Sequence, residues 1–206
     1  MDMLPRPFFA QHVKRLCLTV SITPHDAARI LECCTGVTCL ACWVDFRDSH
    51  LPIGLSHLLA PLPLRRLSIE LENFQGLSLS DSIWSSQLSH LDLRMWDTQE
   101  TFAINRLQFL PALTHLSIYA GHWDMDRATL ERILSAKPLL QVLCLIIEDE
   151  HEEDRERPTI TDPRMVYMPR PEPVPDWEAP YRGLQDTWSY AEQLVVRRMA
   201  ALRSRS

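Results

Sequence analysis

Apolar and polar residues alternate along this chain in a unit that returns six times. Each copy reads apolar-x-x-apolar-x-apolar: Val13-x-x-Leu16-x-Leu18, Val37-x-x-Leu40-x-Cys42, Leu64-x-x-Leu67-x-Ile69, Leu88-x-x-Leu91-x-Leu93, Leu113-x-x-Leu116-x-Ile118 and Leu140-x-x-Leu143-x-Leu145. Counted on the middle residue, the steps are 24, 27, 24, 25 and 27. Alternation at the end of each unit has the period of a strand. It predicts strands over 13–20, 37–44, 64–71, 88–95, 113–120 and 140–147.

Between strands the period lengthens. Thr23-Pro24-His25-Asp26 reads as a helix start, with Thr23 as cap, Pro24 in the first turn and a capping-box-like Asp26. Ala27, Ile30, Leu31 and Cys34 follow at helical spacing, and Gly36 reads as the terminator. A Leu51-Leu55-Leu58-Leu59 face comes next, then a serine-rich stretch from Phe74 to Trp84 that suggests a 3₁₀ piece or turn. Asp97-Thr98-Gln99-Glu100 opens a helix carrying Phe102 and Leu107, and Asp124 precedes one carrying Leu130, Ile133 and Leu134.

A strand plus a helix or 3₁₀ turn, repeated every 20–29 residues, is the signature of leucine-rich repeats. The fold class expected is therefore α/β: a leucine-rich-repeat solenoid of six or seven parallel strands, helices or 3₁₀ segments on the convex side, and a C-terminal capping helix. Residues 1–12 form a partial N-terminal cap and 13–147 the repeat domain. Residues 148–183, acidic from Glu148 to Arg157 and then proline-rich, read as a linker. Within it Met165-Val166-Tyr167-Met168 is a candidate seventh strand. Residues 184–206 carry an apolar stripe of Leu184, Trp188, Ala191, Val195, Met199 and Leu202, so an amphipathic helix should dock on the last repeat's edge. Trp188 and Val195 would face that end; Glu192 and Arg197 would stay solvated.

Charge and cysteine content narrow the function. A net charge of −6 argues against a nucleic-acid binder. The opening residues lack a signal-peptide layout and no run approaches membrane-spanning length, which points to an intracellular protein, cytoplasmic or nuclear, with its six cysteines as thiols.

The repeats, in VKRLCLTV, LPLRRLSIE, SQLSHLDLRMWD and LPALTHLSIYAG, resemble the leucine-rich repeats attached to fungal F-box proteins. The acidic break, proline-rich stretch and Asp176-Trp177-Glu178-Ala179-Pro180-Tyr181 also look like the end of those proteins. This resemblance implies the substrate-recognition part of a ubiquitin ligase receptor. With a first strand at Val13, the chain leaves no room for the F-box itself, so a Skp-type adaptor is implied only if an F-box lies upstream. The asparagine or cysteine that many such repeats place at position nine is replaced by Ser21, Asp45, Glu72, Trp96, Gly121 and Glu148.

Alternation turns positions three, five and seven of each repeat onto the concave sheet face. A protein-binding surface is expected there, from Trp43, Arg66, Glu70, His90, Asp92, Arg94, His115 and Tyr119, with an unidentified protein as partner. His90 and His115 share a column on neighbouring strands, so with Asp92 they form the alternative reading, a hydrolase or metal enzyme. Cys33-Cys34-x4-Cys39-x2-Cys42 has a zinc-like spacing, but Cys42 takes a core position while Cys39 faces out, favouring small buried hydrophobes. No phosphate loop, dinucleotide fingerprint or HExxH helix occurs. The expectation is a non-enzymatic scaffold without cofactor or metal, binding neither nucleic acid nor membrane.

Overall fold

The computed structural model describes residues 6–47, 49, 52–95, 103–119, 125–147 and 160–204. Seven strands, β1 (Arg15–Leu18), β2 (Cys39–Cys42), β3 (Arg66–Glu70), β4 (His90–Arg94), β5 (His115–Tyr119), β6 (Val142–Ile147) and β7 (Met165–Pro169), form one all-parallel sheet in chain order. The helices are α1 (Arg6–His12), α2 (Pro24–Cys33), α3 (Leu55–Leu59), α4 (Leu71–Gln75), α5 (Arg127–Ala136), α6 (Pro173–Glu178) and α7 (Thr187–Arg203). Two 3₁₀ segments, Ile104–Phe109 and Ala179–Arg182, complete the described elements. The chain divides into two compact units, residues 1–93 with 100–113, and residues 94–99 with 114–206.

In the first unit the sequence pattern becomes register. Leu16 pairs with Leu40 and Leu40 with Leu67, so the middle residue of each motif lies beside its counterpart. Before each strand one carbonyl accepts two successive amides of the following repeat. Lys14 O takes Thr38 N and Cys39 N, Thr38 O takes Arg65 N and Arg66 N, and Arg65 O takes Ser89 N and His90 N, at 2.7–3.2 Å. Thr38 and Ser89 hydroxyls reinforce this at 3.1 and 3.0 Å. Leu18, Leu40, Leu67, Ile69, Leu91 and Leu93 are buried on one face, with Leu31, Leu59, Phe74 and Trp84 from the connecting segments.

The turn chemistry is partly as expected. Thr23 caps α2, accepting the Asp26 amide at 3.2 Å. Gly36 does not stop the helix, which ends at a Cys34 cap. A Cβ at Gly36 would instead collide with the Ala10 carbonyl oxygen, so this glycine admits α1. The missing position-nine asparagine is supplied one residue later: Asn73 Nδ2 donates to Val44 O at 3.2 Å, across to the previous repeat. The serine-rich stretch follows a short α-helix, α4, that begins directly after β3. Residues 96–102, where a helix start was expected, lie outside the described residues; the segment that follows is 3₁₀, not α-helical. Asp124 and the acidic run likewise lie outside them.

The second unit repeats the scheme and then departs from it. Leu116 pairs with Leu143, and Thr114 O accepts Gln141 N and Val142 N. Asp126 caps α5 by accepting the Thr129 amide at 2.7 Å, and α5 buries Leu130, Ile133 and Leu134. From residue 160 onward the expected linker is ordered structure. β7 forms as its apolar run suggests, pairing Met165 with Leu143 and Val166 with Cys144. Arg164 stands before it, pairs with Asp162 at 2.7 Å, and donates to the carbonyls of Leu134, Lys137 and Leu140. It thereby satisfies acceptors at the C-terminal end of α5 that have no intrahelical partner.

Where a capping helix was expected on the edge of β6, a strand takes that edge. Leu143 N donates to Arg164 O, so the backbone groups of Met165, Tyr167 and Pro169 point away from β6. Met165 N donates to Asp162 O, Met165 O accepts the Arg198 guanidinium, and Pro169 has no amide hydrogen. The outer edge is thus mostly closed to another strand. α7 lies instead across the sheet's face, because that face is apolar: Tyr119, Val142, Cys144, Ile146, Val166, Met168 and Ala191 make a second core, with Leu194 and Val195 packed on it.

Candidate functional site

The positions expected to meet a partner fall in both units, with different fates. In the first unit, Trp43 Nε1 donates to Ser68 Oγ at 2.8 Å, and Ser68 Oγ donates to Asp92 Oδ2 at 2.6 Å. This chain runs from the residue just after β2 across β3 to β4, at positions that alternate away from the leucine core. It holds a half-exposed carboxylate in one orientation, with Trp43 and Ser68 buried beneath it. Arg66 and His90 are half-exposed on the same face, and His90 Nδ1 meets Ser89 Oγ at 2.8 Å. Glu70 is buried, its carboxylate 3.4 Å from Asn73 Nδ2. Beyond the strand ends Asp45 grips Arg47 with both oxygens at 2.9 Å, and Glu72 lies 3.8 Å from the same guanidinium. Arg47 holds the Asp45 carboxyl below its ordinary value, chiefly through the side-chain hydrogen bond.

In the second unit His115 and Tyr119 are buried, only 4% and 5% exposed. α7 is the reason. Trp188 meets the His115 ring edge-on, centroids 5.7 Å apart, and Glu192 places a carboxylate oxygen 3.0 Å from His115 Nε2. Thr114 Oγ1 holds the other ring nitrogen at 2.8 Å. Glu192 and Arg197 are both exposed as expected, although Glu192 also pairs with His115. Tyr119 carries Arg170 over its ring at 5.0 Å. Arg94, also of this unit, is half-exposed.

α7 is positioned at its start. Gly183, at φ 67°, ends the preceding 3₁₀ segment in the left-handed region that favours glycine. Asp186 and Ser189 form a reciprocal capping box, and Asp176 of α6 accepts both the amide and hydroxyl of Thr187, at 2.7 and 2.9 Å. The expected stripe is packed only in part. Leu184 precedes the helix and is exposed, Trp188 and Val195 are half-buried, and Met199 and Leu202 are exposed.

Of the eight predicted residues, then, the structure places Arg66, His90 and Asp92 on one half-exposed face, with Trp43 and Glu70 buried in its floor. Ser68, position five of its repeat and not among those eight, joins Trp43 to Asp92. Its signal was its place between them at the middle of the strand. The catalytic alternative draws His90 and Asp92 from the first unit and His115 from the second. Among the described residues the four cysteines of the zinc-like spacing do not gather as ligands. Burial pushes the Cys42 thiol up to about 12, consistent with a packed hydrophobe rather than a ready thiolate.

Among the described residues no helix is long and apolar enough to cross a membrane. Compared with family models, curated proteins and solved structures, the chain matches none.

Proposed function

We propose that this chain is a non-enzymatic protein-interaction module of leucine-rich-repeat type, and that it binds through the strand face of its first unit. The observation that carries the reading is the Trp43–Ser68–Asp92 chain. It fixes polar groups on a half-exposed face in advance of any partner, and fixing binding groups beforehand lowers the entropic cost of association. Arg66 beside that chain is of the type that dominates interface energies. Ser68 gives its hydrogen to a carboxylate and takes one from an indole, which orients Asp92 rather than activating a nucleophile. Repeat strands with a polar face are commonly used for protein recognition.

The biological setting follows the resemblance of the repeats to those of fungal F-box proteins: recognition of a protein substrate for a ubiquitin ligase, with contact to a Skp-type adaptor implied only if an F-box lies upstream of these repeats. Site-specific photo-crosslinking tests the surface. A benzophenone amino acid at position 66 should capture a discrete protein in cells, whereas the same group at Glu131 on α5 should not. Equal capture at both positions, or none at 66, would remove the reading.

A further inference from the structure

We infer that the leading rim of the first unit's strand face, made by Lys14, Arg15, Arg65, Arg66 and His90, docks an acidic segment of the protein partner. This inference rests on the protein-binding reading above and names the chemistry of its contact. Register places the rim. Arg15 pairs with Cys39 and Cys39 with Arg66, so the two guanidinium-bearing positions stand two strands apart, about 10 Å at ordinary sheet spacing. His90 N shares the Arg65 carbonyl just as Arg66 N shares that of Thr38, which puts His90 in the same row. Lys14 and Arg65 sit one residue earlier and are exposed.

The charge is one-sided. The first three motif positions of these four repeats, Val13-Lys14-Arg15, Val37-Thr38-Cys39, Leu64-Arg65-Arg66 and Leu88-Ser89-His90, contain no carboxylate. Among the described residues Arg65 and Arg66 form no ion pair; Lys14 spends one donor on Ala10 O at 3.1 Å. Acids stand further along, at Asp92 in the middle of β4, at Glu70 closing β3, and at Asp45 and Glu72 past the strand ends. A chain of net charge −6 therefore carries a cationic row where its repeats begin. Such a row steers an anionic partner and fixes its register.

The row is narrow, and that selects a peptide over a lipid surface. Asp92 lies two residues along β4 from His90, about 7 Å at the rise of a strand. A flat anionic surface would press against that carboxylate as well. A single acidic chain following the row would not.

Fluorescence anisotropy on the full chain tests this with a fluorescein-labelled decapeptide alternating Asp and Ser. Saturable binding is expected that weakens with salt, because the contact is exposed and screened. The double reversal Arg65→Glu/Arg66→Glu should weaken it on the order of tenfold or more, since each reversal turns attraction into repulsion. The charge-matched control Arg127→Glu/Arg132→Glu on α5 should stay within about twofold, as long-range charge alone is screened. Absence of saturable binding, equal loss in the control, or tighter binding of phosphatidylserine vesicles through Arg65 and Arg66 would each overturn the inference. Capture at position 66 without acidic-peptide binding would remove this inference alone; loss of both would remove the protein-binding reading as well.

Discussion

Replacing Trp188 by Ala probes how firmly α7 is held on the second unit's sheet. A fully buried tryptophan cut to alanine costs about 3–5 kcal/mol. Trp188 is half-buried, so the transfer and cavity cost falls to roughly 2 kcal/mol. The edge-on contact with His115 lies inside that figure and should appear separately as a coupling of about 0.5–1.5 kcal/mol in a cycle with His115→Ala. For a chain of this length a loss of that size lowers the midpoint by about 4–8 °C. Differential scanning fluorimetry and urea titration on the single and double variants would measure both terms. A shift under about 1 °C, which corresponds to less than about 0.5 kcal/mol at this length, would refute the placement of α7. Additive single variants would refute the ring contact.

Gly36→Ala forces a Cβ against the Ala10 carbonyl oxygen, backbone that cannot rotate aside. It should cost about 1–3 kcal/mol in urea titration and raise amide exchange in α1, while Gly54→Ala, which meets open space, should not. Arg164→Met removes the donors to three carbonyls, one in the last turn of α5 and two just beyond it, and the partner of Asp162, destabilising by about 2–3 kcal/mol for lost charged hydrogen bonds. The variant should also flatten the acid limb. Arg164 depresses the Asp162 pKa in the folded chain, chiefly through its side-chain hydrogen bond, so this pair's contribution is fully present above the unfolded value of about 3.9 and lost as pH falls below it. The intact protein should therefore lose more stability than the variant between pH 5 and pH 3 in otherwise identical titrations.

The strands were legible because their signal is redundant. Each is marked by three apolar positions, and a register error would expose Leu16, Leu40 and Leu67 together, so pattern and pairing agree. Thr23 and Pro24 were readable because a helix start is local chemistry. Gly36 was not, since its constraint comes from Ala10, which is close only after folding. Asn73, which bonds the Val44 carbonyl, was not legible because it stands one position late. The placement of α7 also has a signal in the sequence. Val142, Cys144 and Ile146 occupy outward positions in β6 yet are apolar, and an apolar outward row calls for a cover. The stripe on α7 and that row were each visible in the sequence; their joining depended on β7 taking the edge of β6. The candidate site was legible as a face. Its internal wiring through Ser68 was not, because hydrogen-bond direction depends on side-chain geometry.

The claim that the strand face of the first unit is available while that of the second is closed by the chain's own helix can be tested on the native cysteines. Cys17 and Cys39 are half-exposed in the first unit, and Cys144 is fully buried beneath α7 in the second. Pulsed alkylation of the intact protein, read by mass spectrometry, should label Cys17 and Cys39 promptly and leave Cys144 protected. The Trp188→Ala variant should speed labelling of Cys144 alone. Labelling of Cys144 in the intact protein at the rate of Cys39 would contradict the account, because the second face would then be as open as the first.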